Sequence, residues 1–179
     1  MTTKQTIRQN QTVGATDLGQ LALRLAVGGL LVGHGAQKLF GWFGGSGLEG
    51  TSGWLASIGY QPAKLWAALA GLSEFGGGAL TALGLLHALG PIATLGSMAI
   101  ATLDLHGEHP IWAAEGGAEL PITNMAAATA SSLSGPGVFS LDRALDIHVP
   151  KPVVTLAVLG VAAGVVVAEK RPKPVPDTH

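Results

Sequence analysis

The chain has 179 residues, 47% of them hydrophobic and only 12% charged, with a formal net charge of −1 and no cysteine. Soluble domains carry about 25% charged residues, so the charges here are too few to cover a globule, and lipid is the expected solvent. The near-neutral balance excludes a basic field for nucleic acid, and the lack of cysteine excludes disulfides, thiolate nucleophiles, Fe–S clusters and Cys-ligated zinc.

Residues 1–17 are polar and lack the short apolar core and small-residue cleavage site of a signal peptide, so the first apolar run is expected to be a retained membrane helix. That run, Leu18 to Phe40, is about 34 Å long at about 1.5 Å per residue. A hydrocarbon core of roughly 30 Å needs no more. Asp17 is its expected N-cap. The run carries Arg24, His34 and Lys38. At about 100° per residue, Lys38 lies about 40° and His34 about 80° from Arg24, so the three share one stripe. Arg24 and Lys38, about 21 Å apart along the axis, can snorkel to opposite interfaces. His34, flanked by Gly33 and Gly35, has no such explanation and is expected to point into the bundle.

The connection that follows is long for a membrane loop and holds Trp42, Trp54 and Tyr60, types that favour the headgroup zone. Within it, "GTSGWLASIG" reads as a short interfacial helix. The second helix, Ala63 to Leu86, opens after Pro62 and puts Glu74 near the midplane. An ionised carboxylate there costs several kcal/mol unless paired, and it cannot snorkel. Glu74 must therefore face the bundle, a cavity or a cation, with Arg24, His34 and Lys38 as the candidates. Glycines 76 to 78 leave room beside it for a helix or a flat ligand. The competing reading is a structural ion pair that fixes helix register.

The third helix, Pro91 to His106, ends in "TLDLHGEHP", where Asp104, His106, Glu108 and His109 crowd its exit in an expected capping and interfacial role. His106 and His109 suit two ligands on one helical face, but the glycine and proline end the helix and no third histidine is nearby. Bis-His haem through His34 and His106 is demanded by no spacing. Neither metal nor haem is assigned. The fourth helix, Glu119 to Ser134, has Pro121 in its first turn and "SGPG" at its end. Glu119 favours its N-terminus electrostatically, and Thr123, Asn124, Thr129, Ser131 and Ser132 can bond the backbone or other helices.

A fifth run, Pro152 to Ala168, lies between Lys151 and "EKRPK". Periodicity alone does not exclude a buried strand, but flanking cations that can snorkel favour a spanning helix. Small residues at spacing four, including Ala67/Gly71, Ser73/Gly77, Ala93/Ser97/Ala101 and Gly160/Gly164, suit close helix packing. Because lipid cannot satisfy open backbone groups, the expected fold is an all-α integral membrane helical bundle. It divides into a polar tail (1–17), a four-helix membrane domain (18–145), and a C-terminal segment (146–179) holding a fifth transmembrane helix (about 152–168) and a basic, Pro-rich tail. A polar pocket is expected between the first three helices. The acidic third loop, free of Lys and Arg, suits the outer face and puts the N-terminus inside, whereas the basic C-terminal tail argues the reverse.

The blocks "RLAVGGLLVGHGAQKLFGWFGGSGLEGT", "AGLSEFGGGALTALGLL", "AAEGGAELP" and "GPGVFSLD" together resemble the DoxX family of small bacterial inner-membrane proteins, over about residues 18 to 145. The resemblance implies a four-helix, multi-pass fold in the bacterial plasma membrane, making the fifth run either an addition or a segment that does not span. It also implies a redox association, like that of the membrane subunit of thiosulfate:quinone oxidoreductase or of complexes handling oxidative and thiol stress. The positions matching the family's polar pattern are Arg24, His34, Lys38, Glu74, His106 and Glu119. On this reading the cofactor is a quinone, and His34 and Glu74 are the catalytic candidates, relaying protons or hydrogen-bonding a quinone carbonyl. Arg24 or Lys38 would stabilise an anionic substrate. The expected partners are the bilayer, protein subunits of a membrane redox complex and a second copy of the chain, with no nucleic acid. Two other classes use the same charges: a small-solute or proton-linked transporter, and a structural or assembly subunit.

Overall fold

The computed structural model describes residues 13–107 and 109–172. Lys4 and Arg8 of the N-terminal tail, Glu108, and the end of the basic tail from Lys173 lie outside the described residues. All regular structure among the described residues is helical: α1 (Ala15–Phe40), α2 (Gly47–Ser57), α3 (Ala63–Leu83), α4 (Leu89–Ile100), α5 (Glu119–Ser134), α6 (Leu141–Leu145) and α7 (Lys151–Glu169). The fifth apolar run is thus a helix and not a strand.

The expected boundaries shift where capping chemistry decides them. α1 starts earlier than expected with Gly14 as its N-cap, and Asp17 acts from inside the first turn, its Oδ2 accepting the Gly14 N–H at 3.0 Å. α3 stops at Leu83 because Gly84 adopts a left-handed φ of 61°, from which its N–H returns to Leu80 and Thr81 carbonyls. α4 begins at Leu89, with Pro91 tolerated in the first turn where its missing N–H costs nothing. It runs on into a π-helical turn, Ala101–Leu105.

α1, α3, α4 and α5 pack in that order, and α1 also meets α5. α7 packs against α4. α2 is stacked against α3 and α1, burying Thr51 and Leu55, so it is part of the bundle wall. The α1–α3 crossing is close because glycines meet there: a Cβ on Gly28 would stand 2.6 Å from the Gly78 carbonyl oxygen, and one on Gly35 would run into Phe75. Any side chain at Gly28 would push the helices apart.

Two helices, α1 and α7, are long and apolar enough to cross a membrane, and the apolar stretch Leu89–Asp104 is shorter. Both long helices turn large apolar side chains outward, among them Leu25 and Leu30 on α1 and Leu156 and Leu159 on α7. On α7 only Ala168 is fully buried.

Candidate functional site

Lys38 sits in the last turn of α1, where the helix dipole favours a cation. Its Nζ lies 2.5 Å from Oε2 of Glu74, near the middle of α3. Glu74 is 2% exposed and Lys38 31% exposed, so the carboxylate is fully inside the protein while its partner reaches in from the edge. Thr51 of α2 donates to the Lys38 carbonyl at 3.3 Å, tying α2 to the same point.

The pair borders a cavity of about 450 Å³. Of the six site residues expected from the sequence, His34, Lys38, Glu74 and His106 line it together. His34 precedes Lys38 by one helical turn and is exposed. It lines the cavity while remaining exposed, and is not in the bundle interior where it was expected. His106 Nδ1 lies 2.5 Å from the Gly116 carbonyl. A carbonyl only accepts, so Nδ1 carries a proton. Among the described residues no group of three or more metal-ligating side chains gathers.

The walls differ from the expected polar pocket of three helices. They are built largely of aromatic and aliphatic side chains, including Trp54 from α2, Trp66 from α3 and Met98 from α4. α5 adds Asn124, whose amide also contacts the Met98 sulfur at 3.8 Å, and α7 adds Val161 and Val165. Neither tryptophan was read as a site residue: Trp54 suited the headgroup zone, and Trp66 was given no role within its apolar run. The remaining polar residues of α5 largely bond their own helix: Thr123 to the Glu119 carbonyl, Ser132 to Ala128 and Ser134 to Ala130.

Arg24 and Glu119 do not belong to this site. Arg24 is buried beside the turn that follows α5 and donates to the carbonyls of Pro136, of Phe139 at 2.7 Å and of Ala82 at 3.3 Å. Its guanidinium fork matches several carbonyls at once, which explains why the stripe on α1 includes a cation that never reaches Glu74. Close by, buried Asp142 accepts the Leu86 and His87 N–H groups at 2.8 and 2.7 Å, and His87 Nε2 lies 3.1 Å from the Ser132 carbonyl. Burial pushes the His87 imidazole below its ordinary value, with Ser132 and Asp142 partly opposing the shift. Glu119 is exposed and accepts the Ala113 N–H at 2.9 Å, closing the loop before α5.

A second polar cluster was not foreseen. Asp104, expected as a helix-end cap, is turned inward by the π-helical turn. It accepts a hydrogen bond from the Tyr60 hydroxyl and an ion pair from Arg171 Nη1 at 2.7 Å. Arg171 also lies over the Tyr60 ring, 3.9 Å from its centroid. Burial and the bond to Asp104 hold the Tyr60 phenol above its usual range, so it remains a donor. Arg171 follows α7, Tyr60 precedes α3 and Asp104 lies in the π turn after α4, so the cluster fastens α7 to the bundle. Ala168 completes the junction by packing with Leu55, Tyr60, Ala63 and Ala67.

The chain matches no curated protein and no solved structure. The family model for DoxX matches residues 19–107, which include Arg24, His34, Lys38, Glu74 and His106. The chain is therefore a membrane protein of the DoxX family.

Proposed function

We propose that the protein is a multi-pass subunit of a redox complex in a bacterial plasma membrane, and that its cavity takes the head of a quinone. The observation that carries this reading is the buried Glu74 carboxylate, paired with Lys38 on the wall of an otherwise largely apolar cavity. A lipid-soluble ligand needs apolar walls and a few placed polar groups. Quinone reduction, when such a cofactor is bound, couples electrons to protons. His34 brings an imidazole, a group able to relay protons as a general acid or base, to the cavity wall. Lys38 and Glu74 can offer a donor and an acceptor to carbonyl or hydroxyl oxygens. Partner subunits would supply the electrons, since the chain has no cysteine.

In this reading α1, α3, α4 with its π turn, α5 and α7 all cross the bilayer. Five crossings leave the chain's two ends on opposite faces and the C-terminal ends of α4 and α7 on the same face, as the contact between Asp104 and Arg171 requires. Arg171 is neutralised by Asp104, which weakens its pull toward the inner face and favours the N-terminus inside.

The test is equilibrium binding of decylubiquinone to the purified full chain, with Glu74→Gln and His34→Ala beside the wild type. Loss of affinity in either variant supports the assignment, and unchanged affinity in both removes it. A structural role is the second reading, because the Lys38–Glu74 pair also joins α1 to α3. If the pair only fixes register, the variants lose stability while the remaining folded protein binds as before.

A further inference from the structure

α7 lies beyond the residues that match the family model, yet it forms part of the cavity wall. It is held at two places. At its middle, Val161 lies against Gly96 of α4, where an added Cβ would stand 3.3 Å from the valine Cγ1. At its end, Ala168 and Arg171 are fixed by the Tyr60–Asp104 cluster. Gly164 lies between these anchors, and Gly160 lies just before the first of them. Both line the cavity, and a Cβ at either would meet nothing within 4 Å. The expected use of Gly160 and Gly164 as a close-packing pair is therefore not what the structure contains. By contrast, Gly28, Gly35, Gly77 and Gly78 are pressed against neighbouring helices.

We infer that Gly160 and Gly164 are specificity-determining positions: they present bare backbone to the cavity so that the ring of a flat, lipid-soluble ligand can lie against α7. This rests on the reading of the cavity as a ligand site. Glycine is unfavourable in a helix interior by roughly 0.5–1 kcal/mol relative to alanine, and here no helix contact repays that cost. Space facing a ligand does. Trp54 and Trp66, which line the same cavity, offer aromatic faces and edges to such a ring. Gly164, half-buried, lies deeper than the exposed Gly160, so a side chain at 164 intrudes further.

The test uses the quenching of intrinsic tryptophan fluorescence by decylubiquinone in full-length protein held in lipid nanodiscs. Gly164→Leu is expected to weaken binding by about tenfold or more, since a few misplaced methylenes in an apolar pocket are worth that much. Gly164→Ala should give a smaller loss, and Gly160→Leu an intermediate one. Gly33→Leu is the control: it adds the same side chain to a membrane helix, at another position with nothing within 4 Å of its Cβ but outside the cavity lining, and should bind as the wild type does. If Gly164→Leu fails to fold, the Gly164→Ala variant carries the comparison. Saturable quenching of the wild type with equal affinity in the 160 and 164 variants overturns this inference alone. Absence of saturable quenching in the wild type overturns the ligand reading and this inference with it.

Discussion

The ammonium of Lys38 and the carboxylate of Glu74, 2.5 Å apart, join the last turn of α1 to the middle of α3 across an edge of the cavity. Removing one partner of a buried pair leaves an uncompensated charge, at a cost of about 3–5 kcal/mol. Water reaches the partly exposed Lys38, so the loss should be smaller, about 1–3 kcal/mol. Lys38→Met and Glu74→Gln should each destabilise the protein by that amount. The double variant should recover at least about 1 kcal/mol of the summed loss, as a thermodynamic cycle on directly contacting residues does. Additive losses in denaturant unfolding would mean the two side chains do not act as a pair.

Arg24 makes a contrasting prediction. Its three carbonyl partners lie in the Pro136–Phe139 turn and at the end of α3, and charge-assisted bonds of this kind are worth about 1.5–3 kcal/mol each. Arg24→Lys loses the fork geometry and should lower stability by about 2–3 kcal/mol, with decylubiquinone affinity unchanged in the folded fraction. A large change in affinity would return Arg24 to the site.

The difference between these two cations explains how far the sequence could be read. Helical runs follow from local periodicity and length, and α1, α3, α4, α5 and α7 fall close to where composition put them. The pairing of Glu74 with a cation of α1 was also legible, because a midplane carboxylate needs a cation and only α1 offered several; His106, which lines the same cavity, was named only through the family resemblance. Which cation it takes depends on the α1–α3 register, set by Gly28 and Gly35 against Gly78 and Phe75. Nothing on α1 itself reveals that. Arg24 was misplaced because its partners are backbone carbonyls more than 50 residues away, and carbonyls have no sequence signature. Asp104 and Arg171 each made sense as helix-end charges on their own. Their pairing needs the inward twist of the π turn.

That pairing can be tested by labelling. The chain has no cysteine, so Ala168→Cys introduces a single thiol at a fully buried position. In an otherwise wild-type chain it should react slowly with a maleimide. Adding Arg171→Ala should raise the rate by about tenfold or more, each 1.4 kcal/mol of weakened docking giving a tenfold larger open population. Equal rates would show that apolar packing alone holds α7.

His87 gives a pH dependence of defined sign. Its folded-state pKa lies below the ordinary 6.5 because burial disfavours the imidazolium. The unfolded chain therefore binds the proton more readily, and this contribution to stability is complete above pH 6.5 and lost as pH falls through the folded pKa. The melting temperature should fall between pH 7.5 and pH 5.5, two settings of about one unit either side of that value. His87→Gln should flatten this part of the profile. An unaltered slope in the variant would assign the pH dependence elsewhere.

The proposed occupant of the cavity beside Glu74 is a quinone head. Photolabelling of the full chain in nanodiscs with an azidoquinone, followed by peptide mapping, tests it most directly. Label is expected on the α1 segment around His34 and Lys38 and the α3 segment from Trp66 to Glu74, competed away by decylubiquinone and lost in Glu74→Gln. Label spread over outward-facing positions such as Leu25 and Leu156, insensitive to competitor and to Glu74→Gln, would contradict it.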